Sequence, residues 1–185
     1  MRLTVKRDKN NAVRRLCFDA AALCAALAIS YIEHLIPLGI IVPLPGIKLG
    51  LANLVVTLVF CVISPMDAAV ISVSRVLLSG ILFGTPMSLV ISLSGACAGY
   101  AGLCISCLIG GVRRFVSFIG VSVFCAALHS AGQLLAVAIF AGIGVFSYLP
   151  IMLVASCLTG SINGLILNAV YSRVAPLVEK YKLKR

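Results

Sequence analysis

Residues 43–53 read Pro-Leu-Pro-Gly-Ile-Lys-Leu-Gly-Leu-Ala-Asn, a proline-rich turn that runs through one lysine into an apolar segment with an asparagine. Lys48 and Asn53 therefore lie within long apolar sequence. Such side chains are costly beside hydrocarbon unless they face a partner, a cavity or a ligand. The stretch predicts a membrane protein whose polar residues near Lys48 and Asn53 form a binding site.

The composition sets the class of protein. Hydrophobic residues make up 62% of the 185-residue chain, charged residues 11%, and the mean hydropathy is +1.17. These values exclude a water-facing surface and indicate an integral membrane protein. At roughly 20 apolar residues per helix, the length allows about six spans and no additional soluble domain.

Prolines and charges delimit six apolar segments, which predict an all-α bundle of six transmembrane helices. The segments are 16–36, 49–63, 66–83, 87–110, 116–141 and 147–173. The second is short for a full span, so we expect it to be tilted or extended by the apolar residues before it. The domain prediction is a six-helix domain over 16–173 between basic tails at 1–15 and 174–185.

Basic residues predict the orientation of the bundle. Ten of the fifteen lysines and arginines lie in the two tails, Arg173 directly precedes the second tail, and Arg113 and Arg114 separate the fourth and fifth segments. Short loops rich in lysine and arginine stay on the cytoplasmic side. We therefore expect a protein of the prokaryotic cytoplasmic membrane with both termini, the 64–67 turn and the Arg113 loop on the cytoplasmic side. The connections 37–48, 84–86 and 142–146 are expected on the outer side.

Several functions are disfavoured by the residues present. The net charge of +10 is explained better by the orientation of the chain in the membrane and by contact with anionic lipid than by nucleic-acid binding. The eight cysteines are expected to be small buried hydrophobes, and the Cys104–Cys107 pair has no second pair to complete a metal site. The five acidic residues never cluster as magnesium-diphosphate chemistry would require. We expect no cofactor, no metal and no catalytic residues.

Helical spacing directs polar residues of several spans toward the interior of the bundle. Lys48 and Arg75 are expected to attract an anionic ligand group, and Glu33 to pair with a base or with a cationic part of the ligand. Directional hydrogen bonds are expected from Asn53, His129, Gln133 and Asn163. The alternative is that all of these are structural, with Arg75 paired to Glu33 or to a helix carbonyl.

The connection over residues 37–48 is too apolar for an exposed loop. Its isoleucine, leucine and proline content predicts a segment that folds over the bundle as a lid beside Lys48, Glu33 and His34. The alternative is a loop that dips into the lipid interface.

The stretch 45–53 resembles the signature of the Gx transporter family, also described as heptaprenyl diphosphate synthase component I. Similar blocks follow in order: 75–80, 82–84, 94–95, 120–122, His129 with 132–133, and Tyr148-Leu149-Pro150. The resemblance covers Leu16 to Arg173, and it adds Tyr148 to the candidate substrate-binding residues. The chain departs from the family pattern in having Ser130, where asparagine is common.

This family is similar to the substrate-binding S components of energy-coupling factor transporters, which capture vitamins, cofactors or precursors in a six-helix bundle. The resemblance implies a transmembrane coupling subunit and two cytoplasmic ATPases as partners, since this chain has no G-x-x-x-x-G-K-[ST] phosphate loop. Candidate contacts with the coupling subunit are Ala21, Ala22, Ala25 and Ala26. The alternative is a non-catalytic membrane accessory subunit of a prenyl diphosphate synthase.

Overall fold

A computed structural model describes residues 2–35, 48, 50–110 and 117–180 of the chain. The burial of individual residues is described from residue 12 onward, except at residue 110. The described part is helical and contains no strand, which confirms the all-α prediction. The helices are α1 (Arg2–Leu35), α2 (Asn53–Val62), α3 (Pro65–Phe83), α4 (Pro86–Gly110), α5 (Phe118–Ala141) and α6 (Leu149–Lys180), with a 3₁₀ helix at Ile143–Tyr148 between the last two.

Five of these helical segments are long and apolar enough to cross a membrane, so the chain is a multi-pass membrane protein. They are Ala12–Leu35, Pro65–Phe83, Pro86–Ile109, Phe118–Ala141 and Ile143–Lys180. Helix α2 has only 10 residues, which gives it a length of about 15 Å, or half of a hydrocarbon core. Among the described residues of the predicted second span, 49–63, the helix extends only from Asn53 to Val62. Parts of both predicted tails are helical, because α1 begins at Arg2 and α6 ends at Lys180.

Local sequence fixes the ends of several helices. Ser64 caps α3 by accepting a hydrogen bond from the Asp67 amide (3.2 Å), and Pro65 occupies the first turn, where an amide hydrogen is not needed. Ser117 caps α5 in the same way through the Gly120 amide (3.2 Å). Gly142 ends α5 at φ +83°, a conformation that glycine adopts without strain.

Contacts between helices define two ends of the bundle. At one end, which we call the basic end, Arg15 forms an ion pair with Asp67 and Phe118 packs on Tyr171 (ring centroids 5.1 Å apart). At the opposite end Tyr31 packs on Phe83 (4.9 Å). The amino half of α1, the α2–α3 turn, the start of α5 and the last turns of α6 therefore lie together.

Small residues allow the consecutive helices α4, α5 and α6 to pack closely. Small residues of α4 face α5: a Cβ on Gly95 would lie 2.7 Å from the Gln133 side chain. On α6, a Cβ on Gly160 would lie 2.6 Å from Val123 Cα, and one on Gly164 2.4 Å from Ile119 Cα. Because the neighbours of Gly160 and Gly164 are backbone atoms, the α5–α6 interface depends on the absence of a side chain at both positions.

The outer surface suits lipid, and the interior holds two apolar clusters. Many large hydrophobic side chains point outward, including Leu108 and Ile139. The larger cluster joins α1, α2, α3 and α5 with Leu103 of α4 and Val178 of α6, and the smaller joins α4, α5, the 3₁₀ helix and the start of α6. Cys125 is the buried cysteine, whereas five others are exposed, so the expectation of buried thiols was wrong for most of them.

Candidate functional site

Helix α2 begins near the middle of the bundle. Its first residue, Asn53, accepts a hydrogen bond from Arg75 at the middle of α3. The preceding Gly50 lies against His129 at the middle of α5, where a Cβ on Gly50 would be 3.3 Å from the imidazole. The chain thus brings backbone that is not yet helical to mid-depth, which a membrane protein tolerates where protein surrounds it.

Glu33 of α1 binds the amino end of α2. The Leu51 amide donates a 2.6 Å hydrogen bond to Glu33 Oε1, and the Ala52 amide also hydrogen-bonds this carboxylate. Ala52, at the capping position, has no side chain that could do so. A carboxylate is favourable there because the first amides of a helix lack partners and carry partial positive charge. Glu33 is 3% exposed.

Arg75 reaches the same place from α3. Its Nη2 donates to Asn53 Oδ1 at 2.5 Å, and the residue is 4% exposed. The predicted alternative of an Arg75–Glu33 ion pair is not seen: over the described ranges the ion pair within 4.0 Å is Arg15–Asp67. Glu33 nevertheless lies close enough for a favourable Coulomb interaction with Arg75 and with Lys48.

His129 and Gln133, one turn apart on α5, hold the backbone of Lys48. With its amide oriented to satisfy its neighbours, Gln133 accepts from His129 Nε2 (3.1 Å) and from the Lys48 amide (3.3 Å), and donates to the Lys48 carbonyl (3.2 Å). Both side chains are buried. The His129 Nε2 atom therefore carries a proton, which it donates to Gln133.

Asn163 completes the group from α6, since its Nδ2 donates to the Gly50 carbonyl at 3.4 Å. We name this group of side chains and backbone the central polar cluster. Its members are Glu33, Lys48, Asn53, Arg75, His129, Gln133, Asn163 and the backbone of residues 50–52. Seven of the eight predicted binding residues therefore converge.

The central polar cluster has an excess of positive charge and of hydrogen-bonding capacity. Two bases, Lys48 and Arg75, face one acid, Glu33, so the formal charge of its described members is +1. Two buried donor atoms of the cluster, Asn53 Nδ2 and Arg75 Nε, have no partner among the described residues. Such atoms are uncommon in folded proteins and point to a missing group.

Comparison with known families identifies the chain. The family profile for heptaprenyl diphosphate synthase component I matches residues 23–170, more than half of the sequence. The chain belongs to this family. The resemblance stated above is thereby confirmed at the level of that family. Neither the curated proteins nor the solved structures contain a significant match.

All eight predicted binding residues lie inside the family match, but Tyr148 is apart from the others. It belongs to the 3₁₀ helix and packs against the smaller apolar cluster, near Leu149. No described hydrogen bond joins it to the central polar cluster. The predicted lid over residues 37–47 falls outside the described residues.

The four alanines of α1 divide into two faces. Ala26 is fully buried and Ala22 packs against the larger apolar cluster, whereas Ala21 and Ala25 are exposed. The prediction that Ala26 contacts a partner was wrong, because the bundle itself covers its methyl group. Ala21 and Ala25 remain accessible on the outer surface.

Sequence reasoning missed the backbone contribution to the site. Gly50 adopts φ +79°, and its carbonyl and the amides of Leu51 and Ala52 bind three different helices. The K-L-G-L-A-N order contained a signal, since a glycine three residues before a helix start favours a turn with positive φ. The Gly160-x-x-x-Gly164 spacing was a second signal, for close helix packing.

A cavity of about 930 Å³ opens at the basic end, away from the central polar cluster. It lies between α2, α5 and the last turns of α6. Its lining residues are Cys61, Val62, Phe118, Asn168, Tyr171, Ser172, Ala175, Pro176, Val178 and Glu179. None of these is a predicted binding residue.

Proposed function

We propose that this chain is the substrate-binding component of an ATP-driven importer of the energy-coupling factor type, and that it captures a small anionic vitamin, cofactor or precursor. The observation that carries the proposal is the central polar cluster. A family member that needed only a stable bundle would gain nothing from an unbalanced buried positive charge, which is costly to desolvate. A bound anion would balance it.

The proposed orientation follows from the two ends of the bundle. The basic end gathers the amino half of α1, the Ser64–Asp67 turn and the last turns of α6, and positive charge favours the cytoplasm for this end. We propose six crossings, of which α2 supplies the inner half of the second. The cluster then lies at mid-depth, and the ligand enters from the opposite, outer end.

The proposed partners are a membrane coupling subunit and two cytoplasmic ATPases, because the sequence has no phosphate-binding loop of its own. The exposed face of α1 with Ala21 and Ala25 is the proposed contact, since small residues let helix backbones approach closely.

The experiment is native mass spectrometry of the protein purified in detergent from its own host. We expect the wild-type chain and an Arg173→Ala control, whose arginine is exposed near the end of α6, to retain a small-molecule adduct. Arg75→Ala should lose it, because truncating one buried charged partner costs about 2–5 kcal/mol. Circular dichroism would establish that the variant is folded. Retention by Arg75→Ala would contradict the proposed role of Arg75.

The second candidate is a membrane accessory subunit of a prenyl diphosphate synthase, favoured by the family description and by the cavity at the basic end. Such a subunit would present a cytoplasmic docking surface and would retain no small ligand. Co-purification of a soluble synthase with an adduct-free chain would therefore favour this function over import.

A further inference from the structure

The amino end of α2 is an anion site that the chain fills with its own carboxylate. Helix ends leave amide donors unpaired, and the dipole adds partial positive charge there. The Leu51 and Ala52 amides project from this end, and Glu33 arrives from α1 to accept both. Glu33 lies 18 residues before Leu51 and belongs to α1, so it reaches this end from another helix. Helix amino ends also bind the phosphate and carboxylate groups of ligands.

Unpartnered side-chain atoms surround the same end. Arg75 Nε and Asn53 Nδ2 are buried donors without a partner among the described residues, although each side chain makes one hydrogen bond, to the other. Only 4% of the Arg75 surface is exposed. Both unused groups donate, so the group that would satisfy them must carry acceptor oxygens. Carboxylate and phosphate groups have several.

Charge points to the same ligand class. Glu33 faces both Lys48 and Arg75, so one carboxylate serves two cations and two amides. A second anion at this place would bind Arg75 and the α2 amides, and would leave Glu33 to pair with Lys48. Lys48 is two residues before Gly50 and is already within Coulomb range of Glu33.

We propose that the amino end of α2 is the subsite for the ligand's carboxylate or phosphate group, and that Glu33 occupies this subsite until the ligand displaces it. The inference rests on the proposed capture of an anionic ligand and names where its anionic group binds. On binding, the anionic group of the ligand replaces Glu33 at the α2 amides. The one negative charge that the ligand adds balances the excess positive charge of the central polar cluster.

The first test is chemical rescue of the purified Glu33→Ala variant, with thermal unfolding as the readout. The variant should unfold at a lower temperature than the wild type, and formate or inorganic phosphate should restore it relative to chloride at equal ionic strength. Rescue by formate alone indicates a carboxylate subsite, and rescue by phosphate indicates room for the larger dianion. Asp67→Ala, which removes a carboxylate at the basic end, is the matched control and should show no such difference between anions.

Equal responses of Glu33→Ala and Asp67→Ala to the three anions would overturn the proposal. If the Glu33→Ala chain does not fold, the isosteric Glu33→Gln variant provides a second test. Because it lacks the competing carboxylate, it should bind the rescuing anion with a half-maximal concentration at least about tenfold below that of the wild type. An unchanged concentration would also overturn the proposal.

These experiments distinguish failure of the subsite proposal from failure of the importer proposal. A wild-type chain that retains a small ligand, combined with no anion-specific rescue of Glu33→Ala, would overturn the subsite and leave the importer function intact. Anion-specific rescue in a chain that retains no ligand from its host would support the subsite and overturn the function.

Discussion

The amide of Leu51 donates to Glu33 across the interior of the bundle at 2.6 Å, and this bond ties α1 to the start of α2. It fixes where α2 begins, since Ala52 offers no side-chain cap. The cost of keeping Glu33 in the interior is offset by the two amides and by the charges of Lys48 and Arg75. The half-length helix and the buried carboxylate therefore depend on each other.

Gly50 sets the geometry of this junction. Gly50→Ala should lower stability by about 1–3 kcal/mol, because φ +79° is strained for any residue with a Cβ. The added Cβ would also lie 3.0 Å from Asn53 Nδ2 and 3.3 Å from His129 Cδ2. Thermal unfolding and native mass spectrometry should show lower stability and loss of the retained ligand together. Unchanged values for both would mean that the turn is not needed.

Ala25 and Ala26 form a matched pair for the α1 surface. Ala25→Leu should leave the isolated chain stable but prevent its co-purification with the coupling subunit, because Ala25 is exposed. Ala26→Leu should instead destabilise the chain by about 1–3 kcal/mol through overpacking of a fully buried position. Pull-down with the coupling subunit and thermal unfolding measure the two effects. Normal assembly of Ala25→Leu would place the contact on another face.

Gly164 controls the packing of α6 on α5. Gly164→Ala should destabilise the protein by at least about 1–3 kcal/mol, since its Cβ would lie 2.4 Å from Ile119 Cα, a backbone atom that cannot rotate away. The control is Gly144→Ala, because a Cβ there meets nothing within 4 Å. Thermal unfolding in detergent compares the two variants. Equal midpoints would show that the α5–α6 contact adjusts freely.

The proposed orientation predicts which end a membrane-impermeant reagent can reach. In a cysteine-free background, Thr85→Cys in the exposed α3–α4 turn should react with an impermeant maleimide in intact cells. Met66→Cys, 67% exposed at the basic end, should react only after the cells are permeabilised. The reverse pattern would place the basic end outside and contradict the positive-inside assignment.

The convergence of the predicted binding residues was predictable in part, because polar side chains of apolar helices are stable only where they avoid lipid. Arg75, His129 and Asn163 each occupy the middle of a helix, where the cost of lipid exposure directs them inward. Tyr148 lies apart from the other predicted binding residues, because an aromatic residue with one hydroxyl at a helix end packs readily against an apolar cluster. The two alanine rows of α1 could not be ranked, since periodicity does not say which face neighbours cover.

Hydropathy and charge by themselves determined the class, the approximate helix bounds and the polar residues that need an interior, because transfer from water to lipid depends on composition along the chain. Only the tertiary structure decided that α2 has 10 residues and that Glu33 fills its amino end. The same holds for the lack of an Arg75–Glu33 ion pair. These features depend on contacts between residues 18 and 22 positions apart, such as Leu51 with Glu33 and Arg75 with Asn53. Such contacts arise from packing in three dimensions, which local sequence periodicity does not encode.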